Sequence, residues 1–141
     1  MPDNPLIGTW RLVSFDVKDE EGRVTYPFGQ DAVGFISYMA DGQMAVQFGR
    51  ANRTKLSGGD WVGGPPDEIA VAAREYFAYC GTYTYGDGQV RHQIALSLLP
   101  NWIGQEQVRL VALSGDFVTL TTPPTAVGGR QQIATLVWQR V

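Results

Sequence analysis

The stretch Leu6-Ile7-Gly8-Thr9-Trp10-Arg11-Leu12-Val13 decides the fold that this sequence predicts. It opens the first strand with Gly-x-Trp, and the chain then reads as one strand after another to its end. The last strand closes with Leu136-Val137-Trp138-Gln139-Arg140. A tryptophan at the base of the first strand and an arginine at the end of the last strand favour a closed barrel. A closed barrel of this length can enclose a cavity for a small molecule.

The length and composition fit a single globular domain over residues 1–141. A chain of 141 residues with 44% hydrophobic and 18% charged residues can bury a substantial core. Its formal net charge of -3, from 11 basic and 14 acidic residues, offers no basic stripe and no polybasic patch. We therefore expect neither a nucleic acid nor a membrane as a partner.

The cysteine content and the N-terminal sequence indicate the cellular compartment in which the protein is expected. The single cysteine, Cys80, cannot form a disulfide within the chain. The first residues lack a basic segment followed by an apolar run, so no signal peptide is predicted. No stretch approaches the ~20 apolar residues that a membrane helix needs. Together these features predict a cytoplasmic protein.

Turn signals divide the chain into about nine predicted strands. Glu21-Gly22, Asp41-Gly42 and Asp87-Gly88 are turn pairs, and Asp41-Gly42 is a strong hairpin signal. The strands are predicted at residues 8–17, 23–26, 33–39, 43–48, 79–85, 89–99, 107–113, 117–122 and 131–141. Because most connections have hairpin length, the sequence predicts an all-β, antiparallel up-and-down barrel of about eight to ten strands.

One helix is predicted between the fourth and fifth strands, after a Gly- and Pro-rich loop at residues 58–66. Pro66 suits a first helical position, and Asp67 and Glu68 suit the positive end of the helix dipole. An apolar face is predicted from helical spacing: Ile69, Ala72, Ala73, Tyr76 and Phe77. This face packs on the barrel as a plug or lies over its mouth as a gate, and the sequence leaves both interpretations open.

Short motifs follow one another in the order typical of a known family. Gly8-Thr9-Trp10 together with Arg140 resembles the hallmarks of the calycin superfamily, which includes the lipocalins. The other motifs are Gly34, Ile36, Tyr38, Gly42 and Met44, then Tyr79-x-Gly81-Thr82-Tyr83, His92, Pro100-x-Trp102-x-Gly104, and Arg109. With them the chain is similar to the bacterial lipocalin-like domain family. The resemblance implies a barrel over nearly the whole chain, with Trp10 inside its closed end and Arg140 across the ring as structural residues. It implies little about chemistry.

Strand alternation predicts which side chains point into the barrel. If Trp10 points inward, then Leu12, Ser14 and Asp16 follow it. The other inward positions on this pattern are Ile36, Tyr38, Met44, Val46, Phe48, Tyr83, His92, Ile94, Leu96 and Leu98. The predicted lumen is therefore mostly apolar with a few polar groups, which is typical of a small-molecule pocket.

The first hypothesis is a barrel that binds a small, largely hydrophobic molecule in this lumen. Its predicted ligand-binding residues are Tyr38, Met44, Val46, Phe48, Tyr83, His92, Ile94, Leu96 and Arg109. One histidine and no cysteine cluster disfavour a metal site. Because the chain also lacks a nucleophile elbow, a phosphate loop and a dinucleotide fingerprint, no cofactor is expected.

The second hypothesis is an enzyme that needs no cofactor. His92 with Tyr38 and Tyr83 could move a proton in the isomerisation, cyclisation or dehydration of a polyketide-like hydrophobic substrate. The structural alternative is a neutral, buried His92 whose ring nitrogens are satisfied by Tyr38 or Tyr83. Trp102, in a Pro-Asn-Trp-Ile-Gly connection, either packs over a barrel end or stacks on a ligand.

The third hypothesis is an interaction module that uses an outer sheet face. Simple alternation from Trp10 places Val13, Phe15 and Val17 on the outside of the first strand. Such a face could support a homodimer.

Overall fold

The computed structural model describes residues 3–127 and 129–141 of the chain. Residues 1, 2 and 128, which the single-domain prediction includes, lie outside the described residues. The strands are β1 (Gly8–Asp19), β2 (Val24–Thr25), β3 (Val33–Tyr38), β4 (Gln43–Gly49), β5 (Tyr76–Gly86), β6 (Gln89–Ser97), β7 (Glu106–Ser114), β8 (Phe117–Thr121), β9 (Thr125–Val127) and β10 (Arg130–Arg140). Helix α1 (Pro66–Arg74) lies between β4 and β5, and a 3₁₀ helix (Pro100–Trp102) precedes β7.

The sheet closes because the first and last long strands pair with each other. The antiparallel ladder of β1 and β10 runs from Trp10 opposite Arg140 to Asp19 opposite Gln132. The other barrel strands follow in the order β3, β4, β5, β6, β7, β8, while β2 and β9 extend the sheet beside β1 and β10. The predicted all-β, lipocalin-like barrel with a helix between its fourth and fifth strands is therefore confirmed.

A bulge reverses the predicted side-chain orientation along β1. Leu12 pairs with Trp138, whereas Ser14 pairs with Val137, so Val13 is the extra residue. One extra residue shifts the inward and outward alternation by one position. Phe15 and Val17 therefore line the interior, and the prediction that Ser14 and Asp16 point inward is wrong. The proposed outer face keeps only Val13 of its three members, with 45% of its side chain exposed.

Helix α1 begins as predicted but does not enter the barrel. Pro66 occupies its first turn with Asp67 and Glu68, and the helix ends at Arg74. None of its residues is buried or lines the cavity, whereas Ile69 and Ala72 are half-buried; the plug and the gate both stay predictions. Tyr76 and Phe77 belong to β5 instead of the helix, because the strand pairs with β4 from its first residue. Among the described residues, no helix is long and apolar enough to cross a membrane.

One half of the barrel is filled by large side chains. Trp10 is fully buried, and its indole N–H donates a hydrogen bond to the Leu6 carbonyl at 2.9 Å. The Arg140 guanidinium lies 4.1 Å from the centre of the Trp10 ring and donates to the carbonyls of Pro5 and Ile7 at 2.7 and 2.9 Å. The cation over the ring and the two hydrogen bonds tie the N-terminal segment across this end of the barrel. The same half also buries Tyr38, Met44, Val90 and Val118.

Candidate functional site: an aromatic cavity in the barrel

The other half of the barrel encloses a cavity of about 320 Å³. It extends from His92 in the middle of the barrel towards the end at which β1 finishes and β10 begins, where Val17 and Gln132 line it. Seven of its wall residues are aromatic: Phe15, Phe28, Phe48, Phe77, Tyr79, Trp102 and Trp138. Six further wall residues are aliphatic: Val17, Ile36, Val46, Leu120, Ala134 and Leu136.

The aromatic walls hold one another in place through edge-to-face contacts. Phe15 contacts the rings of Phe28 and Phe48 at centroid distances of 5.6 and 5.3 Å. Trp102 contacts Phe77 and Tyr79 at 5.0 and 5.7 Å. Edge-to-face packing at these distances is favourable and fixes the ring orientations. Of the two interpretations of Trp102, the structure places its ring in the cavity wall, where an occupant can contact it.

His92 is buried at the inner end of the cavity with a partner for each ring nitrogen. Its side chain is 1% exposed. The hydroxyl of Tyr38 lies 2.7 Å from Nε2, and that of Tyr79 lies 2.7 Å from Nδ1. Burial and then the nearby positive charge of Arg109 lower the pKa of His92 from 6.5 to about 3. The imidazole is therefore neutral near pH 7, with one N–H donor and one acceptor nitrogen.

Burial determines the direction of the two hydrogen bonds that join Tyr38, His92 and Tyr79. Tyr38 is 1% exposed, and among the described residues the one hydrogen-bond partner of its hydroxyl is Nε2 of His92. We therefore assign its proton to that bond, which leaves Nδ1–H to donate to the Tyr79 oxygen. Because Tyr79 lines the cavity and accepts from His92, its own O–H can be donated to an occupant.

Arg109 adds a positive charge to the cavity wall. It lies on β7 opposite Val90, and its guanidinium donates to the Val108 carbonyl at 2.9 Å. Its charge lowers the pKa of His92 and opposes the rise that burial causes in the pKa of Tyr79. Arg109, Tyr79 and His92 line the same cavity. The polar groups of the cavity therefore include a cation and a hydroxyl donor, together with four uncharged polar residues: Gln107, Thr122, Thr125 and Gln132.

Four of the predicted ligand-binding residues line the cavity: Val46, Phe48, His92 and Arg109. Four others do not, because their half of the barrel is filled by core side chains: Tyr38, Met44, Tyr83 and Ile94. Tyr38 still affects the site, because its hydroxyl is hydrogen-bonded to His92. The Tyr83 hydroxyl instead donates to the Met39 carbonyl and accepts from the Asn4 amide, so of the two predicted partners Tyr38, and not Tyr83, forms the hydrogen bond to His92.

The prediction that Leu96 faces the lumen is also wrong. Gly81 pairs with Ile94, whereas Cys80 pairs with Leu96, so Ala95 is an extra residue on β6. The bulge turns Leu96 outward, and 63% of it is exposed. Leu98 follows the end of the strand and is 43% exposed.

Sequence reasoning missed Tyr79, the second partner of His92. The signal was present, because Tyr79 precedes Gly81 and Tyr83 by two and four residues and so shares their face of β5. Phe77 continues the same alternation, but it was predicted to belong to the helix. Phe15 could not be found by alternation, because the bulge at Val13 hides its orientation.

The geometry of His92 does not favour proton-transfer catalysis. Both ring nitrogens are occupied by tyrosine hydroxyls, and a pKa of about 3 makes the imidazole a weak base near neutral pH. Burial also raises the pKa of Tyr38 and of Tyr79. The arrangement is instead that of a satisfied polar network that fixes the orientation of the Tyr79 hydroxyl.

The chain is similar in sequence to a known protein family and to a carrier protein. The model of the lipocalin-like domain family matches residues 7–141. The 4'-hydroxy-3'-methoxypropiophenone carrier protein ppsC of Aspergillus oryzae is 34% identical over 107 residues, which cover 70% of this chain and 96% of that protein. A crystal structure of an uncharacterized protein from Bacteroides eggerthii aligns with 96% of this chain and 99% of its own, at 13% identity and a TM-score of 0.47.

Proposed function

This chain belongs to the lipocalin-like domain family, and on that premise we propose that it is a carrier for a small aromatic molecule held inside the barrel. The observation that carries the proposal is the cavity of about 320 Å³ with seven aromatic walls. Small-molecule pockets span roughly 300–1,000 Å³, so this cavity suits a compact occupant with one or two rings.

The wall chemistry supports an aromatic occupant with a polar end. Flat rings pack against the edges and faces of Phe15, Phe77 and Trp102 more favourably than against aliphatic walls alone. Tyr79 and Arg109 then supply hydrogen-bond donors for an oxygen on one side of the occupant. The compound for which the Aspergillus carrier protein is named is a single-ring aromatic ketone with hydroxyl and methoxy substituents. We propose the same chemical class for this chain.

Compartment and assembly are further proposals. The free thiol of Cys80 is compatible with a reducing compartment, so we propose that the carrier works in the cytoplasm. A homodimer stays a prediction, and light scattering at several protein concentrations tests it. The predicted outer face of the first strand gives the homodimer less support, because Phe15 and Val17 line the cavity instead.

Intrinsic fluorescence tests the proposed function directly, because Trp102 and Trp138 line the cavity. We expect 4'-hydroxy-3'-methoxypropiophenone to quench this fluorescence in a saturable way. The Ala134→Phe variant places a ring in the cavity and should weaken binding at least roughly tenfold. Ala112→Phe makes the same change at an exposed position of β7 and serves as the matched control.

Native mass spectrometry of the freshly purified protein complements the titration. A bound aromatic compound that is present in the wild type and absent from Ala134→Phe supports the proposal. Two results would contradict it: no saturable quenching by any small aromatic compound, or equal binding by the wild type and a folded Ala134→Phe variant.

A further inference from the structure

Arg109 is a cation in the cavity wall without an acidic partner. A guanidinium carries five N–H donors, and that of Arg109 uses one on the Val108 carbonyl and lies beside the Tyr79 hydroxyl. No carboxylate within residues 3–127 and 129–141 lies within 4.0 Å of it. Of the arginines without a carboxylate partner among the described residues, Arg109 is the one that lines the cavity.

The cavity side of Arg109 supplies no negative charge from the described residues. Among the described residues that line the cavity there is no Asp or Glu. The titratable groups near the guanidinium are His92, which is neutral, and the protonated hydroxyls of Tyr38 and Tyr79. A half-buried cation in an apolar cavity is better stabilised when a counter-charge occupies the space beside it.

Tyr79 supplies a second donor next to the same space. Because His92 donates Nδ1–H to the Tyr79 oxygen, the Tyr79 O–H is left to donate to an occupant. An oxygen placed between Tyr79 and Arg109 would therefore meet one neutral and one charged donor. Such a pair binds an anionic oxygen more strongly than an ether or ester oxygen, because hydrogen bonds with charge on both sides are stronger.

We propose that the molecule carried in the barrel has an anionic oxygen on its aromatic ring, a phenolate or a carboxylate, which Arg109 binds and to which Tyr79 donates a hydrogen bond. This inference rests on the proposed carrier function and names the ligand class. Phenolate and carboxylate offer the same recognition chemistry, and the experiment separates them.

The test uses two matched pairs of compact probes with the full-length protein. 4-Nitrophenol, ionised at mildly alkaline pH, is compared with 4-nitroanisole, and 4-nitrobenzoate is compared with its methyl ester. Binding is measured by calorimetry and by quenching of the cavity tryptophans. For 4-nitrophenol, the phenolate absorption band also reports the ionisation state of the bound molecule near its own pKa.

We expect the wild type to bind at least one anion roughly tenfold or more tightly than its neutral partner. The preferred pair identifies the source of the anionic oxygen. In Arg109→Gln this preference should fall to within about threefold, and the enhanced phenolate band should disappear. Arg91→Gln removes one positive charge from the outer face of the adjacent strand and should keep the wild-type preference.

The outcomes separate this inference from the proposed function. Equal affinity for anions and neutral partners in the wild type overturns the inference while the carrier function stands. An unchanged preference in a folded Arg109→Gln variant also overturns it, because the anion would then bind elsewhere. Failure of all four probes to bind overturns the inference, and it contradicts the carrier function as well when 4'-hydroxy-3'-methoxypropiophenone also fails to bind. If Arg109→Gln does not fold, Arg109→Lys provides a variant that keeps the positive charge. The comparison of anionic with neutral probes in the wild type then still tests the inference.

Discussion

The buried imidazole of His92 makes the stability of the fold depend on pH in weakly acidic solution. His92 is the single histidine, and its pKa falls from 6.5 to about 3 on folding. The unfolded chain therefore binds a proton in weakly acidic solution, while the folded protein does not. The free energy of unfolding is therefore highest above pH 6.5 and decreases as the pH falls from 6.5 towards about 3. At pH 5 the expected loss is about 2 kcal/mol relative to pH 7.

Urea unfolding at pH 7 and pH 5 measures this loss. The carboxylates of Asp19 and Glu106 have lowered pKa values because hydrogen bonds hold their charged forms, so their effects appear at more acidic pH. His92→Gln can still accept from Tyr38 and donate to Tyr79, but it does not titrate. We expect the variant to lose less than about 0.5 kcal/mol over the same interval. Equal losses in the variant and the wild type would refute the assignment of a neutral, buried imidazole.

Three further predictions concern stability and are read out by urea unfolding. Gly81→Ala should prevent folding, because its Cβ would lie 1.8 Å from a backbone oxygen on β6, whereas Gly86→Ala on the same strand meets nothing within 4 Å and should be tolerated. Arg140→Lys should cost about 1–2 kcal/mol, since a lysine cannot donate to both carbonyls while covering the tryptophan ring. Tyr38→Phe should cost about 1–3 kcal/mol, because it leaves Nε2 of His92 buried without a donor; a cost below about 0.5 kcal/mol would contradict the proton arrangement.

The barrel could be predicted from the sequence because its signals are local and repeated. Turn pairs such as Asp41-Gly42 specify hairpins through backbone conformation alone, and Gly42 has the positive φ that such a turn requires. Strand alternation then gives the inner face wherever a strand is regular, as at Ile36, Val46 and His92. Closure of the barrel was predicted from Trp10 in the first strand and Arg140 in the last strand, and these two residues pair with each other.

The cavity could not be predicted to the same degree, because it depends on two bulges. Each bulge inserts one residue into a strand, and no residue type in the sequence marks the insertion unambiguously. At Val13 the insertion brings Phe15 inward, and near Gly81 it turns Leu96 outward. Gly81 is a partial signal, since only a residue without a side chain tolerates the close approach of β6.

The helix was predicted too long for a related reason. Ile69, Ala72 and Ala73 recur at helical spacing, and Tyr76 and Phe77 continue that period by coincidence. The backbone changes to a strand at Tyr76, where pairing with β4 supplies hydrogen bonds that a longer helix would forgo. Tertiary pairing thus overrides the local period and delivers Phe77 to the cavity wall.

The barrel is divided into a filled half, whose residues stabilise the fold, and a hollow half, whose residues line the cavity. The filled half contains the Trp10–Arg140 closure and the fully buried Leu6 and Val90, so its apolar burial stabilises the fold without an occupant. The hollow half retains open space and half-buried rings, which a molecule of the right shape can cover. His92 lies between the two halves: Tyr38 reaches it from the core, and Tyr79 extends from it into the cavity. A rigid core can therefore orient a donor in the cavity through the imidazole, and a carrier with this division can change its wall residues without losing its fold.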